Sequence, residues 1–284
     1  MADALMQDGY HAGWVSAKGA VFPAPSECFE QILKNKPDSR YRLEIAMKLP
    51  LGLAHQGRFD AARTALEMSR TWLKEYKIKG LAIDPEFYES SNHAVARLAL
   101  VTAQVARLEA AAGGISESEA AEAARQACSA TLKYGALRAE AFDERLGSLL
   151  RLKDYAAARA EAESLLSEIN TKKVSELSAA RGTAFFTLGQ CNLEAGLAMQ
   201  KNGQTLQANQ QFAEARWNFL NVVAGSIELD RHIPGAHYFA AHCSELLARI
   251  EPNGIRDASV RRRLLINRFP ESSFAKLAQA QIVK

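Results

Sequence analysis

Two stretches of the chain, LGLAHQGRFDAARTAL (51–66) and LGSLLRLKDYAAARAEA (146–162), are built on one plan. An apolar helix end is followed by a break of two or three residues, an aromatic, and an alanine three residues further on. Alanine belongs where two helices cross closely, because a larger side chain would hold them apart. A chain that repeats this plan is committed to helix pairs joined by tight turns. In GRFDAARTALEMSRTWLKEYK (57–77), Phe59, Ala62, Leu66, Leu73 and Tyr76 recur at spacings of three, four and seven, the mark of one apolar helix face. Gly57 stands where the preceding helix must end in a residue with positive φ.

The apolar residues, 48% of the 284, are dominated by alanine and leucine, which favours helix over strand. Helical periodicity recurs near 26–35, 41–56, 57–77, 86–112, 117–134, 138–152, 154–169, 174–200, 205–224, 235–250, 256–268 and 272–282, about a dozen helices with no strand. The connections are short, so neighbours should pack antiparallel. Residues 1–25 lack a period and read as an irregular N-terminal arm held by Trp14 and Phe22, leaving 26–284 as the helical domain. QILKNKPDSRY (31–41) and LLINRFPESSF (264–274) share a device. Pro37 and Pro270 stop one helix, and Ser39 and Ser272 are placed to cap the next.

These units resemble tetratricopeptide repeats. Gly57, Phe59, Ala62 and Leu66 match four places of that family's pattern, and Tyr155, Ala158, Ala162 and Leu165 match in a second unit. Leu188-Gly189 with Ala208, Phe212 and Ala215 resembles a third. There are departures. Lys153 stands where glycine is usual, extra residues separate the halves of the third unit, the motif is faint between 81 and 136, and Pro50 should kink its helix. The resemblance implies an all-α, right-handed α-solenoid of about six antiparallel helix pairs. A generic α-solenoid of the same helix-pair kind is the alternative. It also implies that inner residues of the first helices hold an extended or helical segment of another protein. Carried over through the matched registers, these are Glu44, Met47 and His55, then Asp143 and Arg151, then Phe186, Gln190 and Glu194.

Chemistry is harder to find. HIPGAHYFAAHC (232–243) carries three histidines and a cysteine. His237 and His242 are five positions apart, about 140° around a helix, whereas metal ligands on a helix want spacings of three or four. Cys243 falls with Phe239, Ala240, Leu246, Leu247 and Ile250 on one apolar face, so the stretch reads as a helix in a stack with the histidines flanking its buried side. Asp143-Glu144 and the group Glu117, Glu119 and Glu122 read as solvated faces. No phosphate-binding, dinucleotide-binding or nucleophile-elbow motif is present, so no cofactor, no metal and no enzymatic activity are expected.

The net charge of +3 is spread as 12 basic and 9 acidic residues in 1–80, 12 and 16 in 81–200, and 11 and 7 in 201–284. Arg261, Arg262 and Arg263 turn through too wide an arc to face one phosphate ribbon, while Leu264, Leu265 and Phe269 anchor their helix. The four cysteines are scattered, which suits a reducing compartment. No membrane span and no secretory leader is legible. The expectation is a bacterial-type, non-enzymatic protein-binding scaffold or assembly factor. It would be cytoplasmic, or periplasmic if a leader was removed, with a protein or peptide segment as partner and self-association possible. The alternatives are a helical-repeat domain of a larger protein, or a regulatory or RNA-binding helical repeat using the basic C-terminal patch.

Overall fold

A computed structural model of the chain describes residues 14–15, 21–36, 39, 41–79, 87–172, 177, 180–225 and 231–282. Among these are twelve α-helices: α1 (Pro25–Asn35), α2 (Arg42–His55), α3 (Phe59–Lys79), α4 (Ser91–Ala111), α5 (Glu117–Thr131), α6 (Gly135–Arg151), α7 (Tyr155–Lys172), α8 (Ala180–Lys201), α9 (Thr205–Gly225), α10 (Ile233–Leu246), α11 (Gly254–Arg268) and α12 (Ser273–Ile282). Within the stretch read as an irregular arm, β1 (Trp14–Val15) pairs antiparallel with β2 (Val21–Phe22), Trp14 opposite Phe22. The side chains of Trp14 and Phe22, and Pro37, lie outside the described residues. The chain divides into two compact units, Met1–Ser148 and Leu149–Lys284.

The turns explain why the helices come in pairs. At Gly57, Gly113, Lys153 and Gly203 the backbone enters the left-handed region, with φ of 74°, 79°, 59° and 76°. In each case two hydrogen bonds close the helix end in the Schellman arrangement. The amides of Gly57 and Arg58 donate to the carbonyls of Ala54 and Leu53, and those of Gly113 and Gly114 to Ala110 and Glu109. Lys153 and Asp154 donate to Leu150 and Leu149, and Gly203 and Gln204 to Gln200 and Met199. Lys153, the departure from the glycine rule, therefore adopts the glycine conformation, which disfavours any side chain.

In the first unit, consecutive helices pack along α1 to α5, and α2 also meets α4. The core joins Leu43, Met47 and Leu53 of α2 to Ala62, Leu66 and Leu73 of α3 and Leu98, Val101 and Val105 of α4. Ala96, Leu100 and Ala103 on the other side of α4 meet Ala124 and Ala127 of α5 and Leu137 and Ala141 of α6. Pro50 lies inside α2, which continues through it to His55. Proline has no N–H, so the carbonyl of Ala46 loses its helical donor in a fully buried position. The hydroxyl of Ser69 on α3, itself buried, lies 2.8 Å from that carbonyl and 2.9 Å from the carbonyl of Ala65 on its own helix, so its one proton is shared between them. A side chain from the partner helix thus replaces the missing backbone bond.

In the second unit, consecutive helices pack from α7 to α12, and α10 also meets α12. The α8–α9 crossing is the closest-fitted. Gly189 and Gly196, two turns apart on α8, face Phe219 and Phe212, two turns apart on α9. A methyl group at either glycine would lie 2.6 Å from a ring carbon of its phenylalanine. Ser272 caps α12 by accepting from the amide of Ala275 at 3.1 Å, as its place after Pro270 implied. Ser39 does not cap α2 in the same way. It accepts from the amide of Tyr41, and α2 begins at Arg42 with no side-chain cap. Cys243 and Leu247 are core, whereas Ile250 and Leu264 are exposed, because α10 ends before Ile250 and Leu264 lies a helical step away from buried Leu265.

Ser69→Ala is expected to destabilise the chain by about 1–3 kcal/mol, the cost of a buried carbonyl without a donor. In a Pro50→Ala background the cost should shrink, since residue 50 then carries an N–H of its own, and chemical denaturation of the four proteins of this cycle measures the coupling. Lys153→Gly should stabilise by about 0.5–1 kcal/mol by relieving the left-handed backbone, seen as a rise in Tm.

Candidate functional site

The eight positions predicted to contact a partner fall on three helices. On α2, Glu44 is half-buried, accepts from the Tyr88 hydroxyl at 2.5 Å and pairs with Lys48 at 2.8 Å. Burial first, and then this carboxylate, push the Tyr88 phenol up from its ordinary value. His55 is exposed at the last residue of α2. Met47 is 2% exposed and belongs to the core, so it supports packing and not a partner. Half-buried Asp143 and exposed Arg151 share α6. On α8, Phe186, Gln190 and Glu194 form one half-buried stripe at four-residue spacing. Phe186 is engaged in ring packing, its centroid 5.7 Å from Phe219, 6.0 Å from Phe239 and 4.8 Å from His232. Glu194 lies near the Tyr155 phenol, whose pKa is raised by burial and then by this carboxylate.

The acidic residues are less solvated than their sequence suggested. Glu144 is 3% exposed and accepts from Arg107 Nε of α4 at 2.8 Å. Glu109 of α4 is equally enclosed and bonds Arg63 of α3. Arg97 reaches Glu140 at 3.2 Å. In the second unit Arg216 holds Glu251 through two bonds of 2.5 and 2.7 Å. Arg262 of α11 likewise grips Glu245 of α10, so one member of the arginine run is tied into the fold. Glu109 and Glu144 are buried deeply enough to require their arginines, since an unpaired charge there costs several kcal/mol. Glu119, by contrast, is exposed and completes a capping box with Ser116 at the start of α5. The two Ser116 hydrogen bonds hold its carboxyl below the ordinary range.

The histidine-rich stretch forms a helix as expected, α10, which takes in Pro234 and Gly235 at its start, with one correction to its histidines. His237 does not flank the buried side; it is inside it, 3% exposed, with neither ring nitrogen hydrogen-bonded. Its ring lies 6.3 Å from that of Phe269. Burial, then Arg261 and Arg268, lower its pKa from 6.5 to about 4. His232 stays outside α10 and stacks on Phe186, and Cys243 is fully buried, its thiol pushed up to about 12 by desolvation. Among the described residues no three His, Cys, Asp or Glu side chains come together as metal ligands, and no helix is long and apolar enough to cross a membrane.

Two hollows open on the first unit. One, of about 740 Å³, lies between α1 and α2, with Ile32, Tyr41, Ile45 and Phe87 as its apolar lining and Glu44 and Lys48 at its edge. The second, of about 430 Å³, lies between α3, α4 and α5 and is lined by Arg70, Lys74 and Lys77 along one wall. Sequence reasoning missed the second because its walls come from three helices. The signal was present only as cations at i, i+4 and i+7 of α3. Compared with protein-family models, curated proteins and solved structures, the chain shows no match.

Lowering pH from 6.5 to 4 should destabilise the fold through His237. The unfolded imidazole takes up a proton in this window while the folded one stays neutral, so the contribution is complete above pH 6.5 and is lost as pH falls toward 4. The loss is about 3 kcal/mol at its fullest. Denaturation curves of His237→Leu across that range are expected to be correspondingly flatter than those of the unaltered chain.

Proposed function

We propose that this chain is a non-enzymatic protein-binding scaffold or assembly factor that holds a segment of another protein against its first helices. The observation that carries the reading is the alternate-helix packing, α2 on α4 in one unit and α10 on α12 in the other. Helices that pack this way set first helix beside first helix, the arrangement from which tetratricopeptide-like groove walls are made. A right-handed stack of about six such pairs is the architecture that goes with this reading. His55, Arg151, Gln190 and Glu194 keep surface on their helices and are the contacts proposed, with Glu44 and Asp143 at the margin. Met47 and Phe186 act from behind, by packing.

The basic C-terminal run supports a nucleic-acid reading less well. Arg262 is spent on Glu245, and Arg261 is half-buried with its pKa lowered by desolvation, which leaves Arg256, Arg263 and Arg268 as exposed cations of α11.

Affinity capture with the full chain, followed by mass spectrometry and titration of the captured protein, tests the proposal. A specific protein partner is expected, bound at least tenfold more weakly by the Arg151→Ala, Glu194→Ala double variant. Affinity unchanged in that variant removes the groove assignment, and failure to capture any specific protein removes the scaffold reading.

A further inference from the structure

The hollow between α3, α4 and α5 has a composition that selects its occupant. Its floor is apolar, made by Leu73 of α3 and by Val95 and Leu98 of α4, with Val95 51% exposed. One wall is cationic along its length. Arg70, Lys74 and Lys77 stand at i, i+4 and i+7 of α3, a climb of about 6 Å and then about 4.5 Å. Arg70 donates to the Thr102 hydroxyl of α4 at 3.4 Å, the far wall is neutral at Gln126 of α5, and no carboxylate among the described residues lines the space. Arg70 is the only one of the three cations with an ion pair to a described residue, an exposed i, i+3 pair with Glu67 that is weak and readily exchanged. Lys74 and Lys77 are without a carboxylate partner among the described residues.

Three cations strung over about 10 Å beside an apolar floor do not suit a ligand with a single anionic head, which would use one of them. They suit a rod that carries several carboxylates at the same rise as the cations, with apolar side chains turned to the floor. A helix with acidic residues at i, i+4 and i+7 beside an apolar stripe has that rise, because both rods are α-helices. The volume of about 430 Å³ is in the range of sites that enclose ligand groups and leaves room for the apolar side chains of such a stripe. We infer that this groove is a docking site for an acidic amphipathic helix of a partner protein, aligned along α3 with its carboxylates against Arg70, Lys74 and Lys77. The inference rests on the scaffold reading and adds a second binding surface of stated chemistry to it, lined by none of the eight first-helix positions.

The test is selection of a display library of random helical peptides on the full chain, with affinities of the selected peptides measured by fluorescence anisotropy. Peptides with acids at i, i+4 and i+7 next to an apolar stripe are expected to dominate, to weaken by at least tenfold in Lys74→Glu, Lys77→Glu, and to weaken as salt is raised. Replacing the acids of a selected peptide by lysine should abolish binding to the unaltered chain and restore it to the double variant. That restoration also shows that the variant is folded. Selected peptides without acidic bias, equal affinity for the double variant, or displacement of the peptides by dodecanoate at comparable concentration would each overturn the assignment. If the captured partner still depends on Arg151 and Glu194 while the selected peptides ignore Lys74 and Lys77, the groove assignment alone falls. If the peptides behave as expected but no native protein is captured, the groove stands and the scaffold reading fails.

Discussion

Phe212 and Phe219 rest directly on the backbone of Gly196 and Gly189, and this contact sets how near α9 can come to α8. The same requirement, met by alanine, governs the other crossings. Ala62, Ala158, Ala208 and Ala215 are all essentially without exposure. Small residues let the helices approach, close approach brings leucines and aromatics into contact on both flanks, and that burial supplies the favourable free energy of each unit. The left-handed turns serve the same end, because a helix that stops abruptly lets its successor lie alongside within a few residues.

Close approach also creates polar problems, and the chain answers them from the neighbouring helix. A proline in α2 strips a carbonyl of its donor, and a serine of α3 supplies one. Glu109 and Glu144, caught between helices, are met by Arg63 and Arg107, and the more exposed Glu251 and Glu245 by Arg216 and Arg262. Such pairs add orientation more than net stability, since two desolvated charges must first be offset. They fix the rotation of one helix against the next.

Much of this was legible in the sequence, and the reasons for the remainder are physical. Helix periodicity located all twelve helices, with ends shifted by a few residues where caps were ambiguous, as at Ser39. Gly57 announced a left-handed turn. Lys153 concealed one, because the conformation there is imposed by the flanking helices and not by the residue. Burial of Glu144 and His237 was not legible. A helix face is read from its own residues, whereas these side chains are covered by residues of α4 and α11 distant in sequence. The proposed site divides along the same line. Positions on one stripe, such as Gln190 and Glu194, follow from spacing alone. Whether a stripe is surface or core, which removed Met47, depends on what the fold lays over it.

Helix α8 is buried along much of its length, with Phe186, Gln190 and Glu194 left as a half-buried edge. Ala180, Gly182 to Phe185, Thr187 to Gly189, Cys191 to Leu193 and Gly196 are all buried, so apolar residues run round nearly its whole circumference. A helix covered over so much of its surface makes a poor end. Were the chain severed on either side of it, the new terminus would present a continuous greasy cylinder to water and would invite association with whatever apolar surface lay nearest. Helix α12, which buries only Ala275 and Ala278 and already exposes Leu277, has far less to uncover. The second unit is therefore an indivisible piece at its middle and a trimmable one at its far end, and shortened versions of this protein are bound to respect that asymmetry.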